Sequence, residues 1–135
     1  MEAINKNNLM SDFNFELFTG KKGKYNVTVS LSKPGVISFS SGMARKYGLH
    51  EYNGAQLLFD QSKKAIAIRF LKEETTGMFL LKHREENKGS YIACKSFFSA
   101  YELEKYFGKR ISPIDIEYGE FGKVTVLDVS DSQAV

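Results

Sequence analysis

The stretch that decides the fold is Gly35–Phe70, GVISFSSGMARKYGLHEYNGAQLLFDQSKKAIAIRF. Ile37 and Phe39 alternate with serines, which is the period-two pattern of a strand that buries one face. Two further alternating runs, LLF and AIAIRF, flank the polar residues 60–64 and predict a hairpin. The stretch therefore begins with one strand and ends with two.

A short helix is predicted between that strand and the hairpin. Ser40 or Ser41 can accept a hydrogen bond from a free backbone N–H of the first helical turn. Met43 and Tyr47 lie four residues apart, on one side of a helix that Gly48 can end. The whole stretch is therefore expected to be a β-α-β-β unit with its helix near residues 41–48.

A rougher copy of this unit follows over Gly89–Val129. Its segment Ile92–Leu103 parallels Ile37–Leu49, its helix is expected near residues 96–106, and the alternating runs 113–117 and 123–127 predict its hairpin. A unit of this length cannot bury its own sheet face, so the two copies are expected to close one barrel around a shared core, with approximate twofold symmetry. Chance similarity of two amphipathic runs is the alternative.

The predicted fold is a mainly β (β+α), barrel-like single domain over residues 1–135. It consists of an N-terminal hairpin over 12–30 and the two repeats, 35–70 and 89–129. The alternating apolar positions predict a core made of Phe39, Met43, Tyr47, Leu57, Phe59, Ile66 and Ile68 in the first repeat and of Ile92, Phe97, Tyr101, Ile114, Ile116, Val124 and Val126 in the second.

The segment Phe39–Leu49, FSSGMARKYGL, followed by the hairpin run LLFDQSKKAIAIRF, resembles the AbrB/SpoVT-type swapped-hairpin DNA-binding domain. Two copies in one chain resemble the tandem relatives of the MraZ type. The resemblance implies DNA contact by the first copy, where Arg45 stands at the family's helix arginine, whereas the second copy has Ala100 there. The chain also resembles short uncharacterised proteins of prokaryotes and phages.

Composition and charge narrow the class of protein. The chain is 42% hydrophobic and 26% charged, which fits an ordinary globular domain, and it lacks both a signal-peptide pattern and an apolar run long enough for a membrane span. A cytoplasmic location is therefore expected. Residues 1–70 hold ten Lys or Arg against five Asp or Glu, while residues 71–135 hold nine against eleven. A surface for polyanions is therefore expected on the first half.

Few residues in the sequence are suited to catalysis. His50 and His83 lack metal-site spacing, and His50 follows a helix end, where its partial positive charge is stabilising. Cys94 is expected to be a small core residue, and Asp115 and Glu117 to be outward carboxylates of a half-exposed strand. We therefore expect no enzyme, no catalytic residue, no metal and no cofactor.

Basic residues outside the apolar faces are the candidate binding residues. The predicted nucleic-acid-binding set is Lys21, Lys22, Lys24, Arg45, Lys46, Lys63 and Lys64. The favoured function is non-enzymatic binding of nucleic acid, DNA before RNA, by a regulator-like protein. The alternative is a protein-interaction or structural accessory module of phage or mobile-element origin, whose charges only solvate its surface. Self-association into a homo-oligomer is compatible with both functions.

Overall fold

The computed structural model describes residues 26–130 and 133–134, which form two antiparallel sheets and two short helices. The strands are β1 (Val29–Ser32), β2 (Val36–Phe39), β3 (Gly54–Asp60), β4 (Ala65–Leu71), β5 (Phe79–Leu80), β6 (Lys82–His83), β7 (Ser90–Ala93), β8 (Lys109–Ile111), β9 (Ile114–Glu117), β10 (Lys123–Asp128) and β11 (Gln133–Ala134). The helices are α1 (Ser41–Tyr47) and α2 (Lys95–Ala100). The predicted mainly β domain is confirmed.

The strands are arranged in two layers. The six-stranded sheet has the order β11-β8-β1-β2-β7-β6, and the five-stranded sheet has the order β5-β3-β4-β10-β9. Their inner faces meet in the core, where the Phe39 and Phe70 rings pack edge to face with centroids 5.4 Å apart. Across residues 26–130 no strand pairing joins the two sheets, so the predicted closed barrel is not found. The chain passes directly from one sheet to the other at the buried Leu81.

Local sequence sets the bounds of both helices. Ser40 caps α1, because its Oγ accepts the Met43 N–H at 3.1 Å, and Gly48 ends that helix in the left-handed conformation that glycine adopts without strain. The second helix begins at Lys95, one residue before the predicted cap Ser96. It stops at Ala100, and a 3₁₀ turn, Leu103–Tyr106, completes the predicted helical region.

Strand pairing agrees with the predicted twofold relation between the repeats. In the β2·β7 pair, Ile37 lies opposite Ile92, the residue aligned with it in the second copy. A twofold axis through an antiparallel pair passes where one residue faces its own counterpart, and the flanking residues then pair crosswise, as Val36 with Ala93 and Ser38 with Tyr91. In the other sheet the two hairpins meet through their second strands, in the symmetric order β3-β4-β10-β9.

The two repeats also exchange contacts between helix and hairpin. The Tyr47 hydroxyl at the end of α1 donates to the Asp115 carboxylate on β9, over a distance of 3.0 Å. The counterpart contact joins Tyr101, just after α2, to Phe59 on β3, with ring centroids 5.1 Å apart. Each helix therefore packs against the hairpin of the other copy.

Glycine is required at two equivalent places where the copies cross. Gly35 has a φ of 138°, and a Cβ there would lie 2.6 Å from the Lys95 Cα. Gly89 has a φ of 104°, and a Cβ there would overlap the Phe39 carbonyl oxygen. Only a residue without a side chain fits such close backbone approaches. The two positions precede β2 and β7, the strands that pair at the centre of the six-stranded sheet.

The predicted core is correct for most residues of the first copy and for part of the second. Buried positions are Phe39, Met43, Ile66, Ile68, Ile92, Phe97 and Val124. Half-buried positions are Tyr47, Leu57, Phe59 and Val126. Burial was wrongly predicted for Tyr101, Ile114 and Ile116, which are 39%, 60% and 42% exposed.

The exposure of these three residues has two physical causes. The first is that Tyr101 lies just after the end of α2, where its ring contacts the buried Phe97 ring, with centroids 5.4 Å apart, but is not itself covered. The second is the pairing of β10 with β4, which aligns Thr125 with Ile68 on the core face. Because faces alternate along a strand, Ile114 and Ile116 on β9 then lie on the outer face. Asp115 shares the sheet face of Thr125, but Asp115 and Glu117 are both exposed on this edge strand, as expected for carboxylates of a half-exposed strand.

The predicted N-terminal hairpin lies mostly outside the described residues. Residues 12–25, which include its first strand and basic turn, belong to that undescribed part. Val29 and Ser30, at the end of its expected second strand, belong to β1. This strand pairs with β2 on one side and β8 on the other, so Pro34-Gly35 is the turn of a β1–β2 hairpin and not a boundary between units.

Matched isoleucine truncations test the corrected core. Ile68→Ala removes a fully buried side chain and is expected to lower the free energy of unfolding by about 2–5 kcal/mol. Ile114→Ala changes a side chain that is 60% exposed and is expected to cost less than about 0.5 kcal/mol. Urea denaturation of both variants measures the difference. Equal destabilisation would contradict the observed register of β9 and β10.

The contact between Tyr47 and Asp115 predicts an alkaline loss of stability. Burial first, and then the hydrogen bond and charge of Asp115, raise the pKa of Tyr47 from 10.0 to about 12. Because the folded pKa lies above the unfolded one, this stabilisation is complete below pH 10 and is lost as the pH rises to about 12. The stability difference between the parent and Tyr47→Phe is therefore expected to shift in favour of the variant between pH 9 and pH 11.5, as measured by urea titrations. A constant difference would contradict the assigned contact.

Candidate nucleic-acid interface

The structure separates the cations that the sequence grouped together. Lys21, Lys22 and Lys24 lie outside the described residues. Arg45 and Lys46 are exposed on α1, while Lys63 and Lys64 are exposed in the turn between β3 and β4. Lys46 lies near Phe70 and Leu71 at the end of β4, whereas Lys63 and Lys64 directly precede the start of that strand. Seven residues of strand span about 20 Å, so the two pairs do not form one continuous stripe.

A polar surface lies elsewhere, on the outer side of the six-stranded sheet. Alternation in β1 and β2 turns Val29, Leu31, Ile37 and Phe39 into the core. The residues between and beside them point outward, and we call their surface the hydroxyl face: Thr28, Ser30, Ser32, Ser38 and Ser40. Small hydroxyl side chains therefore cover the middle of this sheet.

One row of residues crosses five of the six strands on this face. Directly opposed positions on successive strands are Lys82 on β6, Tyr91 on β7, Ser38 on β2, Ser30 on β1 and Arg110 on β8. Residues opposed in this way share one side of a sheet. The row therefore places two central serines between an aromatic ring and an arginine, with a lysine at the far edge.

Arg84 adds a second guanidinium to this row. It follows β6, and its backbone N–H donates to the Gly89 carbonyl at 2.9 Å. Its guanidinium carbon lies 4.8 Å from the centre of the Tyr91 ring, within cation–π range, and one of its nitrogens lies 3.5 Å from the Ser38 Oγ. The side chain thus lies over the centre of the hydroxyl face.

A shallow depression of about 380 Å³ marks the middle of the face. Its lining is Asn26, Thr28, Ser30, Ser38, Phe39, Ser40, Arg84, Lys88 and Arg110. This lining contains three cations and no carboxylate. Lys88 pairs with Glu86 at 3.6 Å, and both side chains are exposed, so the positive potential here comes chiefly from Arg84 and Arg110.

Sequence reasoning missed this surface because it relied on the charge of each half. The half with more acidic residues supplies Arg84 and Arg110, and the other half supplies the serines. The alternation of hydroxyl residues over 28–32 and 38–40 was a visible signal for a polar sheet face. The pairing of β1 with β8 and of β2 with β7, which brings Arg110 and Arg84 to this face, was not visible.

The remaining chemical candidates have structural partners. The His83 ring donates from Nε2 to the Tyr52 carbonyl at 3.0 Å and accepts from the Ser90 hydroxyl at Nδ1, and the His50 ring stacks on it at 4.8 Å. Burial of Cys94, as predicted, is confirmed, and it raises the pKa of that thiol to about 12. Within the described ranges, no three His, Cys, Asp or Glu side chains are grouped so as to hold a metal ion.

Comparison of the chain with protein-family models, with curated proteins and with solved structures finds no match. In the part of the chain that the structure describes, no helix is both long and apolar enough to cross a membrane.

Proposed function

We propose that the protein binds nucleic acid without catalysing a reaction and that the phosphate backbone lies on the hydroxyl face. The observation that carries this proposal is the cross-strand row in which Ser30 and Ser38 lie between Arg110 and the stacked pair of Arg84 and Tyr91. The depression on this row contains no carboxylate that would repel a polyanion.

The chemistry of the row suits phosphate groups. Guanidinium groups offer several N–H donors to phosphate oxygens, and serine hydroxyls add neutral donors between them. Small central side chains leave room for a backbone to approach the sheet closely. From Arg110 to Tyr91 the row crosses three strand spacings, about 14 Å, which is the length of about four base pairs.

DNA is the form of nucleic acid that we place on this face, with a regulator-like role in the cytoplasm. The resemblance of the first repeat to swapped-hairpin DNA-binding domains supports this choice. Under the proposal, the separated cations Arg45, Lys46, Lys63 and Lys64 are auxiliary contacts at most, because β4 separates the two pairs.

Binding of a protein partner is the second candidate, and the edge strand β9 favours it. Ile114, Ile116 and the following Tyr118 are 60%, 42% and 54% exposed, on a strand whose other edge is unpaired in the described chain. Exposed apolar side chains on a free sheet edge are typical of surfaces that other chains cover. This surface shares no residue with the hydroxyl face, so the two functions can be tested separately.

Charge-matched variants test the nucleic-acid proposal. Arg84→Gln with Arg110→Gln removes two charges from the hydroxyl face, and Lys63→Gln with Lys64→Gln removes two from the β3–β4 turn. Binding of a labelled 20-base-pair duplex is measured by anisotropy at several salt concentrations. The arginine variant is expected to reduce the slope of log affinity against log salt by about 1.8, since each lost phosphate contact contributes about 0.9.

The lysine variant serves as the control because it has the same net charge as the arginine variant. It is expected to keep most of the parent slope, with both folds verified by circular dichroism. Equal losses in the two variants would show that net charge, not the hydroxyl face, governs binding. A parent protein that binds neither duplex nor single-stranded DNA at low salt would overturn the proposal.

A further inference from the structure

A second cavity, of about 410 Å³, lies where α1 meets the hairpin of the other repeat. The side chains that matter here are the aromatic Tyr47, Tyr52 and Phe121, the cations Lys46 and Lys123, and the carboxylate Asp115. The cavity is lined by α1 and by the five-stranded sheet, including its β9–β10 hairpin. None of the lining residues belongs to the depression on the hydroxyl face. Its volume lies within the range of small-molecule sites, which begins at about 300 Å³.

Asp115 is held in a fixed orientation in this cavity. Its Oδ1 accepts from the Tyr47 hydroxyl at 3.0 Å and from the Thr125 hydroxyl at 3.1 Å. Its Oδ2 lies 3.8 Å from the Lys123 Nζ, too far for a close hydrogen bond. Two donors thus orient the carboxylate through one oxygen, and the other oxygen keeps lone pairs for a further donor.

These groups fit the parts of a nucleotide. A planar base can pack against aromatic rings, an exocyclic amino group can donate to a carboxylate oxygen, and a phosphate can pair with lysine ammonium groups. Lys46 and Lys123 are exposed, which suits a phosphate that stays in contact with water. A simple anion would need no aromatic wall, and an apolar ligand would leave Asp115 without a donor for Oδ2.

We propose that this cavity binds one nucleotide, with an amino-bearing base at Asp115 and its phosphate at Lys46 and Lys123. The ligand is either a free mononucleotide or one nucleotide of a strand, which present the same groups. This site is independent of phosphate binding on the hydroxyl face, because the two surfaces share no residue.

The twofold arrangement provides an internal control. The counterpart cavity, of about 480 Å³, is formed by Phe59, Lys64, Tyr101, Glu102 and Lys105 among others, with Tyr101 in the place of Tyr47. It also holds two lysines and a carboxylate, but Glu102 is exposed and lies after α2, not on a strand. A substitution at Glu102 therefore changes a similar charge in a similar cavity without touching the proposed site.

Asp115→Asn tests the base contact, using guanosine and xanthosine monophosphates as probes. Asparagine retains a carbonyl oxygen for Tyr47 and Thr125 but presents an amino group in place of Oδ2. The parent is expected to prefer the guanine nucleotide, whose 2-amino group donates to Oδ2, over the xanthine nucleotide, whose 2-oxo group is repelled. The variant is expected to bind the guanine nucleotide about 10- to 100-fold more weakly and to reverse the preference.

Calorimetry and ligand-observed NMR measure these affinities, with Glu102→Gln as the control that keeps the parent preference. Equal weakening of both nucleotides by Asp115→Asn, or no binding of either by the parent, would overturn the proposal. If circular dichroism shows that the Asp115 variant is unfolded, the double variant Lys46→Gln, Lys123→Gln tests the site through its phosphate contacts instead. This double variant is expected to lose affinity for guanosine monophosphate and to keep the parent's affinity for guanosine, which has no phosphate. Unchanged affinity for the monophosphate would contradict the site.

Two further comparisons identify the source of the ligand and separate this site from the hydroxyl face. If a guanine-containing tetranucleotide binds more tightly than the mononucleotide, the natural ligand is a strand. If the two bind equally, the ligand is a free nucleotide. Both results agree with the proposed site. Arg84→Gln with Arg110→Gln is expected to leave mononucleotide affinity unchanged. Loss of mononucleotide binding in that variant would contradict the independence of the two sites.

Discussion

The pairing of β2 with β7 is the constraint on which the rest of the structure depends. Ile37 of the first copy lies opposite its counterpart Ile92 of the second copy, and both side chains are fully buried between the sheets. The helix and the hairpin of each copy pack against parts of the other copy, as the contacts of Tyr47 with Asp115 and of Phe59 with Tyr101 show. Without the β2·β7 pair these elements would lack their packing partners. Core formation and association of the copies are therefore expected to be coupled, and we expect neither unit to fold alone.

The same pairing builds both candidate sites. Alternation along β1 and β2 gives one face to the core and the other to hydroxyl groups, and pairing with β7 brings Tyr91 beside Ser38 and places Arg84 above them. The second cavity likewise combines the first copy's helix with the second copy's hairpin, through Tyr47 and Asp115. Neither surface exists within a single repeat. Both candidate surfaces therefore depend on the association of the two copies.

Periodicity in the sequence was sufficient for the order of strands and helices but not for every face. The alternation around Ile37 and Ile66 identified buried positions correctly, because each of these large residues is followed by a small one, Ser38 or Ala67. Residues 123–129 have apolar side chains on both sides of the strand, so the alternation alone does not show which side is buried. The pairing of β10 with β4 turns Leu127 inward, and the pairing of β9 with β10 then turns Ile114 outward. Arg84 and Arg110 were overlooked for a related reason: their position beside Ser38 and Ser30 depends on strand pairs between distant segments, which charge counts along the chain do not reveal.

Chemical-shift mapping tests the central claim, that the hydroxyl face is where nucleic acid binds. Amide signals of ¹⁵N-labelled protein are followed during titration with a mixed-sequence duplex and with its separated strand. The account predicts the largest shifts along the cross-strand row at Ser30, Ser38, Tyr91 and Arg110, with small shifts in the turn of residues 60–64. Largest shifts in that turn, or no shifts with either form of DNA, would contradict the account.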